Sequence, residues 1–142
     1  NIEDPSNKND KFLRIKIRKL INKLNQEGLS FKKFYITLEN LKKSNNSIEF
    51  YIKKNIKDNS NFFYKKKSLI VSENFFQQPD EVVFRSFSEL IYIFGNKKGY
   101  TRGKKVLRLI KNINSSKKLK KTTLSGCIFE KVNKSIIISR EL

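Results

Sequence analysis

Residues 29–57 contain neither Gly nor Pro. Nothing in that run ends a helix or sets a tight turn, so the fold has to accommodate one long segment. Phe34, Leu38, Leu41, Ile48 and Ile52 keep a three-then-four rhythm along it, with Asn45 filling the gap. That is the period of one helix face. Ser30 is placed as the N-cap, because its hydroxyl can accept from a backbone N–H two or three residues on. The sequence therefore predicts a long helix over 29–57, weakest at "SNNS", serving as a connector between lobes.

Upstream, Leu13, Ile17, Leu20, Ile21 and Leu24 mark one stripe of an amphipathic helix. Asn7, Asn9 or Asp10 can cap it, and Gly28 ends it. Downstream, "NFFY" and "SLIV" read either as short strands around a Lys-rich turn or as loop. Pro79 opens a helix with Asp80 and Glu81 in its first turn, where acids suit the dipole. Val83, Phe87, Leu90, Ile91 and Phe94 form its buried stripe, and Gly95 stops it. Another helix, over 103–113, turns Val106, Leu109, Ile110 and Ile113 inward. Last, "TTLSGCIFE" and "SIIISRE" flank "KVNK", a hairpin turning at Asn133. Gly126 marks a bulge or close packing within its first strand. The predicted class is α+β: amphipathic and long connector helices, then a small C-terminal domain of two to three helices and a terminal β-hairpin.

Composition decides what such a chain can bind. Lys and Arg number 32 against 13 Asp and Glu, a formal net charge of +19. Charge of that size repels itself in a compact state and points to a polyanionic partner. Only six of these residues are Arg, while Lys, Asn and Ile abound, so part of the basicity is discounted as AT-rich coding drift. Nucleic acid is the first reading, ahead of a solvated basic surface and an anionic membrane surface. No stretch approaches the roughly 18 apolar residues of a membrane span. The single Cys127 suits a reducing compartment such as the cytoplasm, and its apolar strand neighbours make it a small buried hydrophobe. With no His and one Cys, the usual zinc sets and the Ser–His and Cys–His nucleophile pairs are excluded. Neither GxxxxGK[ST] nor GxGxxG occurs, so both common phosphate cradles are missing.

Three segments together resemble the tRNA(Ile)-lysidine synthases. "DPSNKNDKFLRIKIR" is similar to a segment near the end of that family's catalytic domain, through Asp4, Ser6, Asn7, Asp10, Phe12, Arg14 and Arg18. "GYTRGKKVLRLI" is similar to its aromatic–Pro–Pro–Arg segment leading into a Leu-rich helix. "KTTLSGCIFEKVNKSIIISRE" is similar to its "TLGGC" strand and closing "RE". Three positions depart: Ile15 stands where members often have Asn, Thr101 where they have Pro, and Ser125 where they have one Gly of the pair. The resemblance implies an enzyme that uses ATP and Mg²⁺ to adenylate the wobble cytidine of the CAU anticodon of tRNA(Ile). Free lysine then displaces AMP, and decoding changes from AUG to AUA.

That family's "SGGxDS" nucleotide-binding loop is nowhere in the sequence. The chain is therefore expected to be the C-terminal part of a synthase, inactive alone and binding no cofactor itself. On this reading 1–28 is the end of the catalytic PP-loop ATPase domain, 29–60 the helical connector, and 61–142 the α+β tRNA-binding domain. The rival readings are a stand-alone, non-catalytic basic RNA-binding module and a ribosome-associated protein ordered by rRNA.

The resemblance places Asn7, Arg14 and Arg18 at the tRNA or active-site edge. Arg14 and Arg18, four apart, share a helix face, and a guanidinium holds phosphate with two parallel hydrogen bonds where Lys cannot. The competing role is pairing with Asp4 or Asp10. The run 97–121 holds no acid, and it supplies candidates for tRNA-backbone contact. They are Lys97, Lys98, Tyr100, Arg102, Lys104, Lys105, Arg108, Lys111, Lys117, Lys118, Lys120 and Lys121, with Tyr100 available for stacking. The competing role is a solvated face. No catalytic and no metal-ligating residue is assigned.

Overall fold

The computed structural model describes residues 13–95, 101–116 and 119–141. Contacts divide the chain into two units, Asn1–Asn45 and Asn46–Leu142, with the boundary inside one long helix.

In the first unit, α1 (Leu13–Gln26) stops at Gly28, whose φ of 91° is the left-handed value a helix terminator needs. The Leu29 N–H donates to the Leu24 carbonyl at 2.9 Å and the Gly28 N–H to the Asn25 carbonyl at 3.1 Å. These paired bonds are a Schellman closure. The next helix, α2 (Phe31–Asn59), opens on the expected cap, Ser30 Oγ accepting from the Lys33 N–H at 3.2 Å. It runs unbroken through "SNNS". Ser and Asn inside a helix cost well under about 1 kcal/mol each relative to Ala, too little to break it.

The stripe of α1 is regular but uncovered. Leu13, Ile17, Leu20, Ile21 and Leu24 are all exposed, as are Phe34, Leu38 and Leu41 of α2. The buried residue on α1 is Ile15, off the stripe, where the family pattern has Asn. Periodicity says which residues share a face, not what covers it.

In the second unit the α2 stripe turns inward. Ile48 is half-buried and Ile52 buried. Strands β1 (Ser60–Phe63) and β2 (Ser68–Val71) follow as a hairpin around the 3-10 turn Tyr64–Lys66, so the strand alternative holds over loop there. A second 3-10 turn, Glu73–Gln77, leads into α3 (Asp80–Gly95), then α4 (Gly103–Ser115), β3 (Thr122–Leu124), β4 (Cys127–Val132) and β5 (Ser135–Arg140). All five strands form one antiparallel sheet in the order β1-β2-β5-β4-β3. The α+β class stands, with the terminal hairpin extended into this sheet. The joining pair is β2 with β5, where Leu69 faces Ile138 and Val71 faces Ile136.

The segment "TTLSGCIFE" is two strands, not one. Ser125 and Gly126 have φ of 52° and 80°, and Leu124 pairs with Cys127 across them. Two successive positive φ values make the tight turn that matches strand twist, so Gly126 marks a hairpin turn and not a bulge. Asn133, at φ 56°, turns the β4–β5 hairpin as expected.

One sheet face contributes Leu69, Val71, Cys127, Phe129, Ile136 and Ile138 to a core shared with Phe87, Leu90, Ile91 and Phe94 of α3. Val106, Leu109 and Ile113 of α4 complete it. Phe87 sits centrally, with ring centroids of Phe75, Phe76 and Phe129 at 6.1, 5.4 and 5.7 Å. No helix among the described residues is long and apolar enough to cross a membrane.

Candidate nucleic-acid interface

The helix α4 is sharply two-sided. Val106, Leu109 and Ile113 are buried in the core, while Lys104, Lys105, Arg108 and Lys111 are exposed. Spacings of four and three put Lys104, Arg108 and Lys111 in one row along the outer face, with Lys105 beside it. Arg102 is the N-cap residue, exposed, and its carbonyl accepts from the Lys105 N–H at 2.9 Å. The helix begins with no side-chain cap and no acid in its first turn. Its positive dipole end thus adds to the charge of the row. None of these five cations makes an ion pair with another described residue.

Lys120 and Lys121 are exposed where the chain enters β3. Lys121 lies 3.9 Å from Glu130, a solvated pair worth at most about 1 kcal/mol. Lys97, Lys98, Tyr100, Lys117 and Lys118 lie outside the described residues, and so do Asn7 and the proposed counter-ions Asp4 and Asp10. Arg14 and Arg18 are exposed one turn apart on α1, in the other unit.

The residues that fix the start of α4 come from the second and third resembling segments. Thr101 Oγ1 and Ser125 Oγ share a hydrogen bond of 2.5 Å, so two of the three departures from the family pattern touch each other. A Cβ added to Gly95 would overlap the Ser125 carbonyl oxygen and come within 3.1 Å of Cys127 Sγ. The closing Arg–Glu pair completes the clasp. Arg140 Nε donates to the Phe94 carbonyl at 3.0 Å, and the Glu141 N–H donates to the Gly126 carbonyl at 2.9 Å. Cys127 is fully buried behind this turn. A closely packed clasp of this kind presents the basic row from a fixed support.

A second basic and aromatic surface escaped the sequence reading. Phe62, Tyr64 and Lys67, from β1 and its turn, line a cavity of about 570 Å³ with Leu69, Leu90, Ile93, Phe94 and Arg140. Its signal in the sequence is the order "NFFYKKK", aromatic rings running straight into lysines.

No family model matches the chain, and no match is found among the curated proteins or the solved structures. The likeness to the synthases rests on the residues quoted above.

Proposed function

We propose that the chain is the tRNA-binding part of a tRNA(Ile)-lysidine synthase, which with ATP joins lysine to the wobble cytidine of the CAU anticodon. One observation carries the reading: the acid-free basic row of α4, whose start is tied by the Thr101–Ser125 bond to the segment of the terminal hairpin, both within stretches that resemble the family although these two positions depart from its pattern. In this role Arg102, Lys104, Lys105, Arg108 and Lys111 neutralise tRNA phosphates, and Arg14 and Arg18 place the substrate at the edge of the catalytic domain. Phosphate contacts of this kind hold and orient a nucleic acid without reading its bases.

Among the described residues no three His, Cys, Asp or Glu side chains gather as a metal site, and no step of the chemistry is placed on them. The test is transfer of labelled lysine to a tRNA(Ile) transcript. The chain alone should bind the transcript and transfer nothing, and the chain joined to an ATP-binding domain of the family should transfer lysine. Binding without transfer in the joined protein favours the stand-alone RNA-binding module instead.

A further inference from the structure

We infer that the hollow between β1, its turn and the C-terminal half of α3 is a site for one unpaired RNA nucleotide, its base stacked on Tyr64 and its phosphate held by Lys67 and Arg140. The inference rests on the RNA-binding reading above and goes beyond it, since none of these residues belongs to the basic row of α4.

The walls come first. Phe62 is the last-but-one residue of edge strand β1, and its ring meets Tyr64 edge-on at 4.7 Å and Phe94 at 6.0 Å. Tyr64 is 82% exposed, although it is a large aromatic and belongs to the same ring cluster. Water gains nothing from that exposure, whereas a flat base laid on an aromatic face does: such stacking is sequence-tolerant because every base has a π-face. The cavity volume of about 570 Å³ falls in the roughly 300–1,000 Å³ range of small-ligand sites.

The charges come next. Arg140 is held in place on two sides, its Nε donating to the Phe94 carbonyl and its guanidinium carbon 5.6 Å from the Phe94 ring centroid. Among the described residues nothing hydrogen-bonds its terminal guanidinium nitrogens, and a planar fork so fixed suits phosphate. Lys67 sits at φ 44°, where the turn closes with its N–H donating to the Tyr64 carbonyl at 3.2 Å. No acid among the described residues lines the cavity. An apolar peptide would have no use for two cations, and the acid-free rim selects an anion attached to a flat ring. Lys65 and Lys66, exposed on the same turn, extend the charge along a strand rather than around a single small molecule.

Base stacking has to be separated from charge. The measurement is the affinity of the chain for a blunt RNA stem, the same stem with a short single-stranded tail, and that stem with an abasic tail. The base-bearing tail should bind about fivefold or more tighter than the abasic one, the lower bound for one stacked base. Tyr64→Ala should bring that ratio to about one, and Tyr64→Phe should keep it; at 82% exposure the change is not a folding defect. A ratio near one for the unaltered chain, with stems still bound, overturns the site and leaves the RNA-binding reading standing. A ratio that survives Tyr64→Ala overturns it as well. Release of the tailed stem by AMP at an equal concentration means a free nucleotide is the ligand, which also overturns it. If no RNA binds at all, both readings fall.

Discussion

Ser125 sits at φ 52°, a conformation that costs a side-chain-bearing residue roughly 1–2 kcal/mol and glycine almost nothing. Its hydroxyl bonds to Thr101, and a hydrogen bond of this sort is worth about 1 kcal/mol net. The two effects nearly cancel, which fixes the sign of a double-mutant cycle. Ser125→Gly alone should change stability by less than about 0.5 kcal/mol, removing the bond while relieving the backbone. In a Thr101→Ala background the bond is already gone, so the same change should stabilise by about 1 kcal/mol. Urea unfolding of the four proteins checks both numbers, and equal effects in the two backgrounds would rule out the coupling. Gly95 is a harsher case. The sequence marks it as a helix stop, but its φ is not in the left-handed region; the cause is the Ser125 carbonyl, against which any Cβ would collide. That cause could not be read locally, because it belongs to a turn in a distant hairpin.

Elements were legible in proportion to how local their signals are. The helices α3 and α4 begin and end within a residue or two of their sequence limits, because caps, stops and the 3.6 period all lie inside the segment. The pairing of β2 with β5 carries no comparable signal, since strands join through contacts remote in sequence. The burial of α1 was not legible either: its stripe is as regular as that of α3, and it stays exposed. One clue on α2 went unread. Asn55 falls three residues after Ile52, in the apolar phase of the helix, and it is 3% exposed. Its amide donates to the Phe75 carbonyl at 3.2 Å and to Ser86 Oγ at 3.0 Å, while its own oxygen accepts from Asn59 at 2.9 Å. A polar residue in that phase ties the end of α2 to α3 with every partner satisfied. Asn55→Leu strands the Phe75 carbonyl in the core, so it should lower unfolding free energy by about 1–3 kcal/mol. Lys53→Ala, two residues away and exposed, should stay within about 0.5 kcal/mol. Equal effects from the two would show that helix propensity, not the buried network, fixes this end of α2.

At the scale of the molecule, the net charge of +19 opposes the compact state and favours a polyanion, and the two consequences can be pulled apart. Replacing Lys104, Lys105 and Lys111 with Gln removes three cations from the outer face of α4 and touches nothing in the core. Self-repulsion falls, so the melting temperature should hold or rise. Counterion release falls too, so the slope of log K for tRNA against log salt should flatten by about 0.7–0.9 for each phosphate no longer neutralised. The weakening should be alike for every tRNA, because lysines on phosphates read no bases. Arg14→Lys and Arg18→Lys are the opposite experiment: the charge stays and the planar fork goes. Joined to a catalytic domain of the family, those variants should slow single-turnover lysine transfer more than they change the salt slope. Salt titrations and single-turnover rates on both sets decide the matter. An unchanged slope after the Lys substitutions would leave α4 a solvated face. Unchanged turnover after the Arg substitutions would make the α1 pair structural, holding that helix to its surroundings and nothing more.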